Sequence, residues 1–284
     1  MKTITSVNQL QDRMRRLRRQ GRRIGFVPTM GALHEGHLSL VRRARKENDV
    51  VVVSIFVNPL QFGPSEDFEK YPRDITRDAR LLRRLCDVLF LPDPRTFVPK
   101  DLKTYVEVKD PGVSLCGGSR PGHFRGVATI VAKLLLSVGP DRLYLGQKDA
   151  QQAVIIKKMV RDLDFPVDVV VCPIVREKDG LAMSSRNAYL SVEERRRAIV
   201  LYQAIKSAER MAAAGARESA KIVQALQNLV HRVPETRIDY IEIVDRKTLE
   251  PVRLIEDSAL LALAVYVGST RLIDNTVLKV KGGQ

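Results

Sequence analysis

Between Ile24 and about Pro173 short apolar runs alternate with segments of helical period, and that alternation predicts a parallel sheet with helices on its faces. The runs at 24–28, 50–57, 87–91, 142–145 and 167–172 predict the strands. The second of them, VVVVSIFV, never alternates polar with apolar, as expected of a central strand buried on both faces. Helices are predicted between the strands at 37–46, 74–85, 125–138 and 149–163. Ahead of the first run, Leu10, Met14 and Leu17 recur at helical spacing within the arginine-rich stretch DRMRRLRRQGRR, which predicts a short amphipathic helix.

After Pro173 the pattern changes. The loop VREKDGLAMSSRN leads into two long helical stretches, 192–213 and 217–233, followed by strands at 237–244, 259–267 and 277–280. The fold class is therefore α/β, a Rossmann-like doubly wound parallel sheet domain over residues 1–174 with a smaller C-terminal α+β domain over 175–284.

Composition narrows the function classes. A chain of 284 residues with 44% hydrophobic and 29% charged residues is neither disordered nor collagenous and is long enough to bury a real core. No run approaches the roughly 20 apolar residues that span a bilayer, and the first residues carry charges where a signal peptide would be apolar, so the cytoplasm is expected. Cys86, Cys116 and Cys172 are far apart and show no zinc spacing, so they read as reduced structural thiols. Lys plus Arg outnumber Asp plus Glu by 48 to 33, a formal charge of +15 that suits nucleic acid, acidic lipid or a phosphorylated substrate. The arginine stretch has no interleaved aromatic residue and reads as a solvated helix face, so neither nucleic acid nor membrane is expected as a partner.

In an open parallel sheet ligands bind beyond the carboxyl ends of the strands, so the loops that follow the apolar runs carry the chemistry. The first, PTMGALHEGH, has a glycine turn and a helix start whose first turn holds His34 and His37 on one face. Two imidazoles and the amides of a helix start suit phosphate oxygens. In the second, NPLQFGPSEDFEKYPRD, Pro59, Gly63, Pro64 and Pro72 break regular structure, and Asn58 and Gln61 offer neutral amides for hydroxyls and a carboxylate. The third, LGQKDAQQ, puts Lys148 and Asp149 at a helix start, with Gln152 a turn further on; Lys148 suits phosphate, whereas Asp149 serves equally well as a cap. The fourth, GLAMSSRN, adds two hydroxyls and a guanidinium.

HEGH followed much later by MSSR resembles the HxGH and KMSKS-like pair of the nucleotidyltransferase superfamily, which includes class I aminoacyl-tRNA synthetases. The strings FVPTMGALHEGH, SIFVNPLQFG, RPGHFRGVAT, GQKDAQQ and DGLAMSSRN, in this order, closely resemble the pantoate:beta-alanine ligase family. The resemblance implies a two-step ligation in which ATP and pantoate give pantoyl adenylate and pyrophosphate, and beta-alanine then displaces AMP to form pantothenate. It implies that Met30, Gly31, Ala32, Leu33, His34, Glu35, Gly36 and His37 form the ATP loop, with His34 and His37 on the phosphates and His37 the proton donor. Gly146, Gln147, Lys148 and Asp149 would continue the nucleotide site, Lys148 holding phosphate charge in the transition state. Val175 would meet adenine through its backbone, while Met183, Ser184, Ser185 and Arg186 would close over the phosphates. Gln61 and Gln152 would bind pantoate, with Gln61 also near beta-alanine.

The acidic stretch that can bind magnesium in some relatives reads DITRDARLL here, leaving Asp74 and Asp78, so Mg2+ is expected to arrive with ATP and no residue is assigned to the metal. The resemblance also implies a homodimer. It places His123 and Arg125 of CGGSRPGHFRG near the site without a role, and His231 reads as structural. A cytidylyl- or adenylyltransferase would share the HxGH loop but has no reason for the pair Gln61 and Gln152. An RNA-binding protein is disfavoured by the absence of tryptophan and by only 5% aromatic residues.

Overall fold

The computed structural model describes residues 1–63, 67–109 and 115–280; Pro64 of the second loop lies outside the described residues. The chain divides into two compact units, one of Met1–Lys109 and Arg120–Pro173, the other from Ile174 onward together with described residues 115–119.

In the first unit the order is β1 (Lys2–Ile4), α1 (Val7–Arg19), β2 (Ile24–Thr29), α2 (Glu35–Glu47), β3 (Val50–Ile55), α3 (Ile75–Leu82), β4 (Val88–Phe90) and a short α4 (Pro94–Phe97). Past the short α5 (Cys116–Ser119), which groups with the second unit, come α6 (His123–Val138), β5 (Arg142–Gly146), α7 (Ala150–Asp162) and β6 (Asp168–Cys172). The strands form one parallel sheet in the order β1-β4-β3-β2-β5-β6. Val50, Val52 and Phe56 enter one core with Leu10 and Met14 of α1, Val127 and Val131 of α6 and Ile156 of α7. Val51, Val53 and Ile55 face the opposite core with Leu38 and Val41 of α2 and Leu82 of α3. Each such side chain is worth roughly 1.5–3 kcal/mol when buried, so β3 is anchored from both faces, as its unbroken apolar run predicts.

The site is placed by what happens at β2. Its neighbours are β3 on one side and β5 on the other, so strand order reverses between β2 and β5. The β2–β3 ladder runs from Ile24 to Thr29, whereas β2 pairs β5 only at Gly25 and Phe26. The Ile24 carbonyl accepts from the Asp141 N–H and the Thr29 carbonyl from the Phe56 N–H, so by alternation Pro28 faces β5. Proline has no N–H to give that ladder, and the two strands part beyond Phe26. The gap opens at the carboxyl ends, where the loops after β2 and β5 leave the sheet.

The second unit begins with a 3-10 turn (Ser185–Tyr189), α8 (Val192–Ala198), α9 (Val200–Ala213) and α10 (Ser219–His231), then an antiparallel sheet of β7 (Thr236–Val244), β8 (Ser258–Val267) and β9 (Thr270–Lys279) in the order β7-β8-β9. Apolar side chains of α9, α10 and β8 share one core. The long helix expected over 192–213 is two, because Ile199 between them takes ψ of −22°, the tighter winding of a 3-10 turn. No helix among the described residues is long and apolar enough to cross a membrane.

Candidate active site

The loop after β2 is shaped by two left-handed residues, Gly31 (φ 84°) and Ala32 (φ 50°). The first can be only glycine in comfort, since a Cβ there would lie 3.0 Å from the Ile55 side chain and 3.1 Å from a carboxylate oxygen of Asp78. Thr29 Oγ1 donates to the Ser54 carbonyl at 2.8 Å and accepts from the Gly31 N–H at 3.2 Å. Asp78 reaches in from α3, only 1% exposed, and its Oδ1 accepts from the Leu33 N–H at 2.9 Å. The Oδ2 of the same carboxylate has no hydrogen-bond partner among the described residues, and burial pushes the carboxyl up from its ordinary range.

His34 is not in the first helical turn, as expected, but is the N-cap of α2. Its Nδ1 accepts from the Gly36 N–H at 3.2 Å, and Nδ1 of His37 accepts from the His34 N–H at 3.4 Å. The imidazoles thus replace the usual Ser and Glu of a capping box, and they consume two amides that the sequence had offered to phosphate. The rings lie 4.1 Å apart between centroids. With Nδ1 an acceptor in each, a neutral ring carries its proton on Nε2 and presents that N–H as donor. Burial, then the fields of His34 and Lys148, lower the His37 pKa to about 3.

Two further loops reach this one. Asn58 caps the 3-10 turn Pro59–Gln61, and Gln61 Nε2 lies 3.1 Å from Sδ of Met30. After β5 the chain makes a second 3-10 turn, Gln147–Asp149, preceded by Gly146, whose pairing with Cys172 closes the β5–β6 ladder. Lys148 is largely buried, with its Nζ 4.0 Å from Asp149 Oδ1, and its charge is felt by His37. Asp149 stands at the N-cap of α7 without a side-chain hydrogen bond to the helix, so the capping role that the sequence left equally open to it is not taken. Gln152 is half-buried in the first turn of α7.

Within the second unit, Val175 and Met183 are joined across a small hairpin, the Met183 N–H donating to the Val175 carbonyl at 3.0 Å. Ser184 then caps the 3-10 turn that carries Ser185 and Arg186, accepting from the Arg186 N–H at 3.3 Å. Asn187 ties the hairpin together by donating to Glu177 and to the Ala182 carbonyl at 2.8 and 3.1 Å.

Residues 2–277 match the sequence model of the family described as Pantoate-beta-alanine ligase. The chain belongs to that family. It is 54% identical over 279 residues to the pantothenate synthetase of Thermotoga neapolitana, covering 98% of this chain and 100% of that protein. The crystal structure of pantothenate synthetase from Thermus thermophilus superposes with a TM-score of 0.92 at 47% identity, covering 97% of this chain and 99% of that one. A pantoate-beta-alanine ligase from Francisella tularensis, solved with beta-gamma ATP and beta-alanine, matches with a TM-score of 0.81 at 36% identity over 98% of this chain and 97% of that one. The resemblance read from the motifs and the doubly wound fold class both hold.

In this ligase Asp78 is a residue whose part the sequence does not disclose. There it stands only as the remnant of a magnesium stretch, yet it anchors the loop of Gly31 and Ala32 by the hydrogen bond from the Leu33 N–H. No signal in the sequence marks that role, because its partner is a main-chain amide. No three of His, Cys, Asp and Glu gather as metal ligands among the described residues.

The His37 value makes a test of its own. An unfolded histidine takes up its proton near pH 6.5, the folded one near 3, so between these values the unfolded chain binds more protons and stability falls as pH drops. His37→Gln should flatten that part of the stability profile, and the His37 ring resonance should stay unprotonated at pH 5 in the ligand-free protein. A ring titrating near 6.5 would refute the burial and the opposing fields that keep it neutral.

Proposed function

We infer that this protein condenses pantoate with beta-alanine to pantothenate in an ATP-dependent reaction, by way of a pantoyl adenylate, with release of AMP and pyrophosphate. The observation that carries the reading is the meeting, at one end of the parallel sheet, of an anion-binding set with an amide: the rings of His34 and His37 in the field of Lys148, and Gln61 against Met30 of the same loop. Attack of a carboxylate on the α-phosphorus needs fixed donors and a cation as charge moves onto phosphate oxygens, and it needs no nucleophilic side chain. Nε2–H of His34 and His37 are the donors, and Lys148 is the cation. His37 starts as a neutral donor; bound phosphate charge opposes the depressing fields of His34 and Lys148, so its acid role belongs to the ATP complex.

Gly146 to Asp149 extend the nucleotide site, and the resemblance to the family carries an ATP-binding role over to Val175, Met183, Ser184, Ser185 and Arg186. Gln61 and Gln152 take the hydroxyls and carboxylate of pantoate, with Gln61 also serving beta-alanine. Magnesium enters as the ATP complex. The imidazoles, side-chain amides and ammonium around the loop suit anions, and no residue is assigned to the metal. A homodimer in the cytoplasm completes the reading, on the resemblance to the family alone.

The experiment is isotopic. Pyrophosphate label should exchange into ATP when pantoate and magnesium are supplied without beta-alanine, and oxygen-18 from the pantoate carboxylate should appear in AMP after full turnover. Label in inorganic phosphate, with ADP as the nucleotide product, would mean attack on the γ-phosphate and overturn the mechanism.

A further inference from the structure

The segment RPGHFRG opens α6, and the chemistry above makes no use of it. Its first turn lies directly against the turn that carries Gln61. The His123 side chain is buried, with Nδ1 2.7 Å from the main-chain carbonyl of Gln61. A carbonyl can only accept, so Nδ1 holds the proton. Nε2 lies 3.0 Å from Nη1 of Arg120, and a guanidinium can only donate, so Nε2 is the acceptor and the ring is the neutral Nδ1–H tautomer. Arg120 Nη2 donates to the same Gln61 carbonyl at 3.2 Å. One main-chain oxygen is therefore gripped by two side chains that also grip each other.

The other end of the turn is fixed as firmly. Asn58, 2% exposed, accepts from the Leu60 N–H through Oδ1 at 3.0 Å, and its Nδ2 donates to the Gly126 carbonyl of α6 at 3.2 Å. The same Nδ2 donates to Oε1 of Gln61 at 2.9 Å. Gln61 is thus held by its acceptor end, and its Nε2 is turned toward Met30, whose sulfur is a weak acceptor that a substrate hydroxyl or carboxylate oxygen can replace at a net gain. The approach itself depends on Gly126: a Cβ there would stand 2.1 Å from the Leu60 carbonyl oxygen and 2.9 Å from the Gln61 nitrogen.

We propose that the first turn of α6 is the platform that aims the Gln61 amide at pantoate, with His123 and Arg120 as positioning residues on its carbonyl and Gly126 setting the distance. The proposal rests on the reading of Gln61 as a pantoate ligand. On this proposal each of the three acts through the turn and not by contact with the substrate.

Asparagine and glutamine separate this role from a merely structural one. The Nδ2 of asparagine can occupy the place of Nδ1 and donate to the carbonyl, whereas the longer glutamine amide falls nearer the place of Nε2. His123→Gln should raise the pantoate KM about ten-fold or more with the ATP KM changed less than about two-fold, and His123→Asn should recover most of that loss. Gly126→Ala, which pushes on the turn from the other side, should raise the pantoate KM in the same selective way. Adding His123→Gln to Gln61→Ala should cost little beyond Gln61→Ala alone, because both act on one amide. If Gln61→Ala raises the pantoate KM while His123→Gln and Gly126→Ala do not, the platform is wrong and the Gln61 reading stands. If Gln61→Ala leaves the pantoate KM unchanged, the Gln61 reading fails and the platform loses its purpose. Equal losses for ATP and pantoate in the His123 variants, with a lowered melting temperature, would assign the turn to stability alone and overturn the proposal.

Discussion

Replacing Lys148 by alanine is expected to slow adenylate formation by ~10²- to 10³-fold, the loss typical when one preorganised charge-stabilising donor is removed. The side chain is held on the 3-10 turn between β5 and α7, largely buried, and its charge is one of the influences that keep His37 neutral. Fixed in that way, an ammonium needs no reorganisation when negative charge moves onto the phosphate. Pyrophosphate exchange with pantoate present is the measurement, taken on protein whose melting temperature matches the parent. A second readout follows from the same geometry: with the ammonium gone, the His37 pKa should rise, since one of the fields that lower it is removed. Turnover at the parental rate in folded Lys148→Ala would remove the lysine from the chemistry. Arginine should rescue poorly, because its planar fork does not fit the place of a compact ammonium.

Asp78→Ala should damage ATP binding from a distance. It leaves the buried N–H of Leu33 without its acceptor, at about 1–3 kcal/mol, in a loop that already holds an alanine at positive φ. The expected result is a rise of ~10- to 10²-fold in the ATP KM and a lower melting temperature. Asp78→Asn retains Oδ1 and should be much milder. The magnesium dependence of the reaction should stay the same in both variants, and a selective loss of magnesium activation would instead make Asp78 a metal ligand.

The sheet and its helices are legible because long apolar runs have only one way to be buried. β1 escapes such a reading: Lys2–Ile4 is too short to show a period, and its partner, Val88–Phe90, lies far along the chain. β9 shows only its last few residues in the pattern, since Asp274 and Asn275 interrupt the apolar run. Both are nevertheless buried, the first against Arg176 at 2.6 Å. At the candidate site, residues with side-chain chemistry stand out, namely His34, His37, Lys148 and Gln61. The main-chain roles of Asp78 and His123 do not. Asp78 accepts from a main-chain amide and His123 bonds a carbonyl, and a backbone partner leaves no mark in a one-dimensional string.

The strand order also bears on how the chain emerges from the ribosome. Once residue 90 has been made, β1 to β4 can stand in their final order, but β2 is then an edge strand and stays so until Arg142–Gly146 arrives. An apolar strand with an open edge invites pairing with a neighbouring nascent chain. Pro28 faces that edge and withholds a donor from any such intruder. The residue that parts two strands in the finished protein therefore also guards the half-made one against aggregation.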